Sequence, residues 1–169
     1  MGRIEDTFNW CLKQGEKDDH KGLKRVKPDE GEVERHIKKA QHNLKAIDHN
    51  IKGGFKDWAV CAVFYSMYHS LLAVLSKLGY ESRNQECTII AVEYLIEKEK
   101  INLDKKYIEM IRRTSEMMPK DAKMLREEFQ YGTDVEVDDE VLNLLKNNAK
   151  EFVEKIQILL EEIKLKSNQ

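Results

Sequence analysis

Two phenols and an imidazole fall within five residues at Tyr65, Tyr68 and His69, and a guanidinium precedes a phenol by five residues at Arg126 and Tyr131. These are the groups whose type and spacing can do chemistry. Tyr65 and His69 are four apart, so on a helix they look along one face. Two arrangements satisfy them. In one, the hydroxyls and the ring hydrogen-bond within a packed helix crossing. In the other, they line a groove between their own helix and the one carrying Arg126. Arg126 sits among Leu125 and Phe129, where its planar fork either braces helix packing or holds a phosphate. His69 is the histidine whose protonation burial would control.

Other chemistries are missing from the sequence. His36, His42 and His49 share one long helix, but six- and seven-residue intervals put His42 and His49 about 10 Å apart along the axis, too far for one ion. They read as surface or interface histidines, and His20 is isolated near the N-terminus. There is no His-x-x-x-His, Cys-x-x-Cys or Glu-x-x-His pair, so no metal site and no cofactor are expected. Gly53-Gly54 is not followed by the Lys-Ser or Lys-Thr of a phosphate-binding loop, and no Gly-x-Ser-x-Gly turn is present. Cys11, Cys61 and Cys87 are odd in number and lack metal-like spacing. Cys61 reads as a small buried hydrophobe, and a reduced, cytoplasmic chain is the simplest expectation.

The element that positions the phenols and the imidazole is unusual for this chain. Trp58 to Leu75 is an 18-residue run without a charge, in a protein with 29 basic and 31 acidic residues out of 169. Such a helix must be enclosed on nearly all sides, with other helices built around it. It approaches membrane-spanning length, but its Ser, Cys, Tyr and His content and the lack of a second span predict a buried helix and no membrane. Before it, Val33, Ile37, Ala40, Leu44, Ile47 and Ile51 form one apolar stripe on a helix of about twenty residues, ended by Gly53-Gly54. Asp57 is placed to cap the buried helix or complement its dipole, and Gly79 ends it.

Ser82 to Gln85 fits a capping box for a helix running to about Lys98. A helix over about 104–118 stops before Pro119, and a short one is expected over 120–130. The last helix, capped by Asp138 or Asp139, carries Val141, Leu145, Asn148, Phe152, Ile156, Leu159 and Ile163 on one face. The expected fold is all-α, an antiparallel helical bundle of four to five main helices. Residues 1–29 read as an N-terminal arm with a short helix, and residues 30–169 as the bundle domain. Lys21, Lys24, Arg25 and Lys27 are the densest basic cluster; either they are solvated on that arm or they contact RNA. The net charge of −2 and interspersed signs argue against a dedicated nucleic-acid binder. No signal sequence is expected, since Asp6, Asn9 and Gln14 interrupt any apolar run.

Over about residues 25–160 the chain resembles the HEPN domain family. The resemblance rests on Ala40-Gln41-His42-Asn43-Leu44-Lys45-Ala46, on Trp58-Ala59 leading into Ala62-Val63-Phe64-Tyr65-Ser66-Met67-Tyr68-His69-Ser70, on Leu78-Gly79-Tyr80, and on Leu125-Arg126 through Tyr131-Gly132. Such domains are often encoded beside minimal nucleotidyltransferases in bacteria and archaea, pack as helical bundles and commonly dimerise. Ribonuclease members carry Arg-x-x-x-x-His, which meets its copy across the dimer and cleaves RNA without a metal. Arg126 matches that arginine, but Tyr131 stands at the histidine position, Glu127 follows the arginine, and Asn84-Gln85-Glu86-Cys87 stands where many relatives have a histidine. A phenol with an ordinary pKa near 10 is a poor proton shuttle at neutral pH.

The resemblance therefore implies a homodimeric interaction protein that binds nucleotide or RNA phosphate, a partner of a minimal nucleotidyltransferase in a toxin–antitoxin-like system. Its contact residues would be Arg126, Tyr65, Tyr68, His69 and Tyr131. The alternative is a divergent metal-independent ribonuclease that uses Arg126 with Tyr131 or His69.

Overall fold

The computed structural model describes residues 2–118 and 137–167. The expected 120–130 helix, Arg126 and Tyr131 lie outside the described residues. Among the described residues there are six helices: α1 (Arg3–Gly15), α2 (Glu30–Lys52), α3 (Lys56–Lys77), α4 (Gln85–Glu97), α5 (Lys106–Glu116) and α6 (Asp139–Ser167). Two three-residue strands, β1 (Leu23–Arg25) and β2 (Tyr80–Ser82), complete them. The fold is an all-α bundle.

The charge-free run forms the centre of the bundle. Val63, Phe64, Met67, Leu71, Val74 and Leu75 of α3 are wholly buried, and α3 packs on α2, α4, α5 and α6. Ion pairs at the helix ends fix the directions. Lys77 at the end of α3 meets Glu30 at the start of α2, and Asp48 near the end of α2 meets Lys146 near the start of α6. Lys56 lies 2.7 Å from Asp139 at the two helix starts. α2 thus runs against both α3 and α6. Enclosure of α3 is less complete than its composition implies: Trp58 and Tyr65 stay 55% and 41% exposed along one edge. That edge is where the polar groups collect.

α2 follows its predicted stripe, with Val33, Ala40 and Ile47 buried. In α6 the inward face is turned by one position at its start: Leu142 is buried and Val141 is 39% exposed, after which Leu145, Phe152, Ile156 and Leu159 point inward as their spacing predicts. At Asp57 the second of the two expected roles holds, and at α4 the cap differs in identity from the sequence expectation. Phe55 stands at the N-cap of α3 and gives no side-chain bond, so Asp57 acts only as first-turn charge. Asn84, rather than Ser82, caps α4 by accepting from Cys87 N at 2.9 Å. Asp138 caps α6 as expected, its Oδ1 accepting from Glu140 N at 2.8 Å.

The first 29 residues, expected as a polar arm, contribute to the core through Phe8, Cys11 and Leu23, each at most 1% exposed. α1 lies on α4, where the Phe8 ring stacks on Tyr94 with centroids 3.9 Å apart. Gly15 lets the end of α1 touch β1, since a Cβ there would sit 2.0 Å from Leu23 O. β1 pairs antiparallel with β2, Lys24 opposite Glu81, after a turn in which Gly79 adopts φ +82°. His20 is not isolated: it is 7% exposed, and its Nε2 lies 3.3 Å from Glu81 Oε1.

Docking of α1 also corrects the expectation of three reduced thiols. Cys11 and Cys87 form a disulfide across α1 and α4, with Cα atoms 5.7 Å apart, and Cys61 is the free cysteine. A separation of 76 residues gives no spacing cue; the pair meets only because Phe8 and Cys11 share one buried face of α1.

Candidate functional site

α3 carries five polar groups inside its apolar run, and two are spent locally. Ser66 Oγ donates to Val63 O at 2.7 Å, and Ser70 Oγ donates to Ser66 O at 2.9 Å. Both hydroxyls are satisfied by the preceding turn of their own helix. The remaining groups, Tyr65, Tyr68 and His69, gather on the less enclosed edge. The Tyr65 and Tyr68 rings meet edge-on with centroids 6.4 Å apart, and Tyr68 lies edge-on to His69 at 5.9 Å. The Tyr68 hydroxyl is 3.4 Å from Thr88 Oγ1 on α4. Burial pushes its pKa above the ordinary phenol value, so Tyr68 is a neutral hydrogen-bonding group.

His69 has a partner that spacing along the chain could not reveal. His36 of α2 faces it, with the two Nδ1 atoms 3.1 Å apart and ring centroids 5.3 Å apart. One Nδ1 donates and the other accepts. On its other side, His36 Nε2 lies 3.6 Å from Glu32 Oε2. Glu32 is itself held: its Oε1 accepts from Arg35 Nε at 2.7 Å, and its backbone N–H donates to the Asp29 side chain. His36 and Glu32 also border a pocket of about 370 Å³ between α2, α3 and the β1–β2 ladder, closed by Lys27, Ser76, Tyr80 and Arg83.

The electrostatics keep both imidazoles neutral at neutral pH. Burial pushes His69 down to about 4, with the neighbouring His36 and then Lys39 acting in the same direction. Burial also lowers His36, opposed by Glu32 and reinforced by Arg35. A histidine whose folded pKa lies below its unfolded value takes up its proton more readily when unfolded. Its contribution to stability is therefore intact above about 6.5 and is lost as the pH falls through about 4. Urea melts at pH 7 and pH 4.5 are expected to show a loss for the wild type that shrinks by about 1–2 kcal/mol in His69→Gln, discounted for partial exposure of the ring. An identical pH dependence in both proteins would remove His69 from the acid response.

Of the five predicted contact residues, Tyr65, Tyr68 and His69 are brought together, while Arg126 and Tyr131 are outside the described residues. His42 and His49 are exposed, as expected for surface histidines. Reading the sequence missed His36, Glu32 and Lys39 as neighbours of this edge. The spacing Glu32, His36, Lys39 along one face of α2 is the signal that could have grouped them. Among the described residues no cluster of three or more His, Cys, Asp or Glu is arranged to hold a metal ion.

The described edge offers two exposed or part-exposed aromatic rings, two neutral imidazoles and the exposed Lys39 ammonium. It suits a ligand with flat apolar faces, hydrogen-bonding groups and an anion. The family model for the HEPN domain matches residues 33–165, a span that takes in α3, α4, α5 and most of α2 and α6 and leaves out α1 and β1. No curated protein matches the chain.

Proposed function

Because the chain belongs to the HEPN domain family, we propose that it is an interaction protein that binds RNA or nucleotide phosphate through the α2–α3 edge and Arg126. The observation that carries this reading is the meeting of Tyr65, Tyr68, His69 and His36 on one edge of an otherwise enclosed helix. Tyr65 supplies a base-stacking face, the neutral imidazoles hydrogen-bond, and Lys39 and Arg126 supply charge for phosphate. In the same proposal the protein is a cytoplasmic homodimer, paired with a minimal nucleotidyltransferase in a toxin–antitoxin-like system. The Cys11–Cys87 disulfide is compatible with a reducing compartment to the extent that its burial shields both sulfurs; each cysteine is 1% exposed.

Titrating a labelled single-stranded RNA against the wild type and Arg126→Ala at two salt concentrations tests the proposal. Wild-type affinity should fall with salt, and the variant should bind more weakly with a shallower salt slope, reduced by about 1. Equal affinities for the two proteins would remove Arg126 as the contact.

The alternative, metal-independent ribonuclease activity, asks more of the imidazoles. A group held near 4 is a weak base, and at neutral pH it lacks the acidic imidazolium proton that a general acid gives up. Cleavage that requires Arg126 and persists in EDTA would replace the binding reading with the catalytic one.

A further inference from the structure

His36 and His69 present four ring nitrogens, and the groups around them decide which carry protons. Glu32 Oε2 lies 3.6 Å from His36 Nε2. That is beyond hydrogen-bond length, so the carboxylate acts by charge. It cannot swing away freely, because Arg35 holds its Oε1. A negative carboxylate attracts an N–H at Nε2 and repels a lone pair there. His36 is neutral and therefore carries one ring proton, at Nε2, which leaves its Nδ1 as an acceptor. The 3.1 Å Nδ1···Nδ1 contact then requires His69 Nδ1 to donate. With its single proton so committed, His69 has a bare lone pair at Nε2, and no described residue hydrogen-bonds to that atom.

We infer that Glu32 and His36 form a relay that fixes the tautomer of His69, so that His69 Nε2 is an acceptor site for an uncharged donor group, a sugar hydroxyl, on the bound ligand. The inference rests on the RNA- or nucleotide-binding reading for the identity of that ligand and deepens it. It assigns His69 to the sugar and leaves the phosphate to the cationic side chains, because a lone pair repels an anion. Glu32 and His36 are positioning residues that act through His69. Among the described residues, Arg35 and Lys39 of α2 act on the pair by charge, Tyr68 of α3 lies edge-on to His69, and Lys27, Asp29, Glu81 and Arg83 share the pocket that His36 borders. None of them hydrogen-bonds to His69, so none competes for its proton.

Ring-nitrogen NMR of histidine-labelled protein at pH 7 reads the tautomer directly. Expected is a His69 protonated at Nδ1 and bare at Nε2. In His36→Phe and Glu32→Leu, with the fold checked by amide dispersion, the His69 proton should redistribute toward Nε2. A wild-type His69 protonated at Nε2, or a His69 tautomer unchanged in His36→Phe, would overturn the relay.

The ligand class is read separately with a single-stranded oligouridylate and its 2′-O-methyl counterpart. The wild type should bind the methylated strand about two- to tenfold more weakly, the worth of one hydrogen bond, and His36→Phe should narrow that gap. Equal binding of the two strands by the wild type would overturn the sugar assignment. If neither strand binds, the RNA reading fails and the tautomer alone decides the relay.

Discussion

Replacing Leu71 by Asp is expected to abolish cooperative folding at room temperature. Leu71 is wholly buried in the middle of α3, within the core cluster shared with α2, α4, α5 and α6. Removing its side chain forfeits about 2–3 kcal/mol of apolar burial. The new carboxylate has no cation among the apolar side chains around it and costs several kcal/mol more, even if it is protonated. Together these approach or exceed the roughly 5–15 kcal/mol by which a domain is stable. The thermal transition should disappear, while Leu71→Met, close in volume, should melt within about 1.5 kcal/mol of wild type. A cooperative, native-like melt for Leu71→Asp would mean that α3 is not the enclosed centre of the bundle.

Breaking the Cys11–Cys87 link should have the next largest effect on stability. The bond closes a loop over a sequence separation of 76 residues, for which the chain-entropy model gives about 4–5 kcal/mol; measured losses for native disulfides run about 2–5 kcal/mol. The lower part of that range is expected here, because Phe8 stacked on Tyr94 continues to hold α1 on α4 after the bond is gone. A Cys11→Ser, Cys87→Ser double variant should stay folded, with its urea midpoint lowered and its α1 amides exchanging faster than those of α3. Uniform faster exchange throughout the chain would show that α1 and the bundle unfold as one unit. An unchanged midpoint would show that the link contributes nothing to stability.

The parts of the fold that could be read from the sequence are those written in helical periodicity. The α2 stripe from Val33 to Ile51, the charge-free α3 and the α6 positions from Leu145 onward each carry their burial in their spacing, since a helix face repeats every three to four residues. Asp138 as a cap was legible for the same local reason. What depends on distant pairing was not. His36 meets His69 across 33 residues and Cys11 meets Cys87 across 76, and neither interval has any local signature. The same holds for β1 and β2, whose three residues each are too short to alternate visibly. Residues 1–29 read as an arm from the sequence because Phe8 and Cys11 show their common face only once α4 lies beneath them.

In the candidate site the type of each group was legible and its state was not. Tyr65, Tyr68 and His69 stood out as polar residues in an apolar helix. Ser66 and Ser70 bond back to their own helix, and the rotation of α3 against its neighbours decides that Tyr65 stays open while Tyr68 is half-buried. The Asn84 cap shows the same limit on a smaller scale, since Ser82 had the matching spacing but is drawn instead to Asn84 O and Thr88.

In the proposed function, nucleic acid binds at the edge bearing Tyr65, His69 and His36. The test is to titrate a single-stranded oligouridylate into isotope-labelled protein and follow backbone amides and histidine side chains together. Saturable shifts are expected at His36, His69, Tyr65 and Lys39, weakening as salt is raised, with the β1 residues Lys24 and Arg25 unmoved. Shifts confined to the Lys21–Lys27 basic segment, or no saturable shift at any residue, would contradict it.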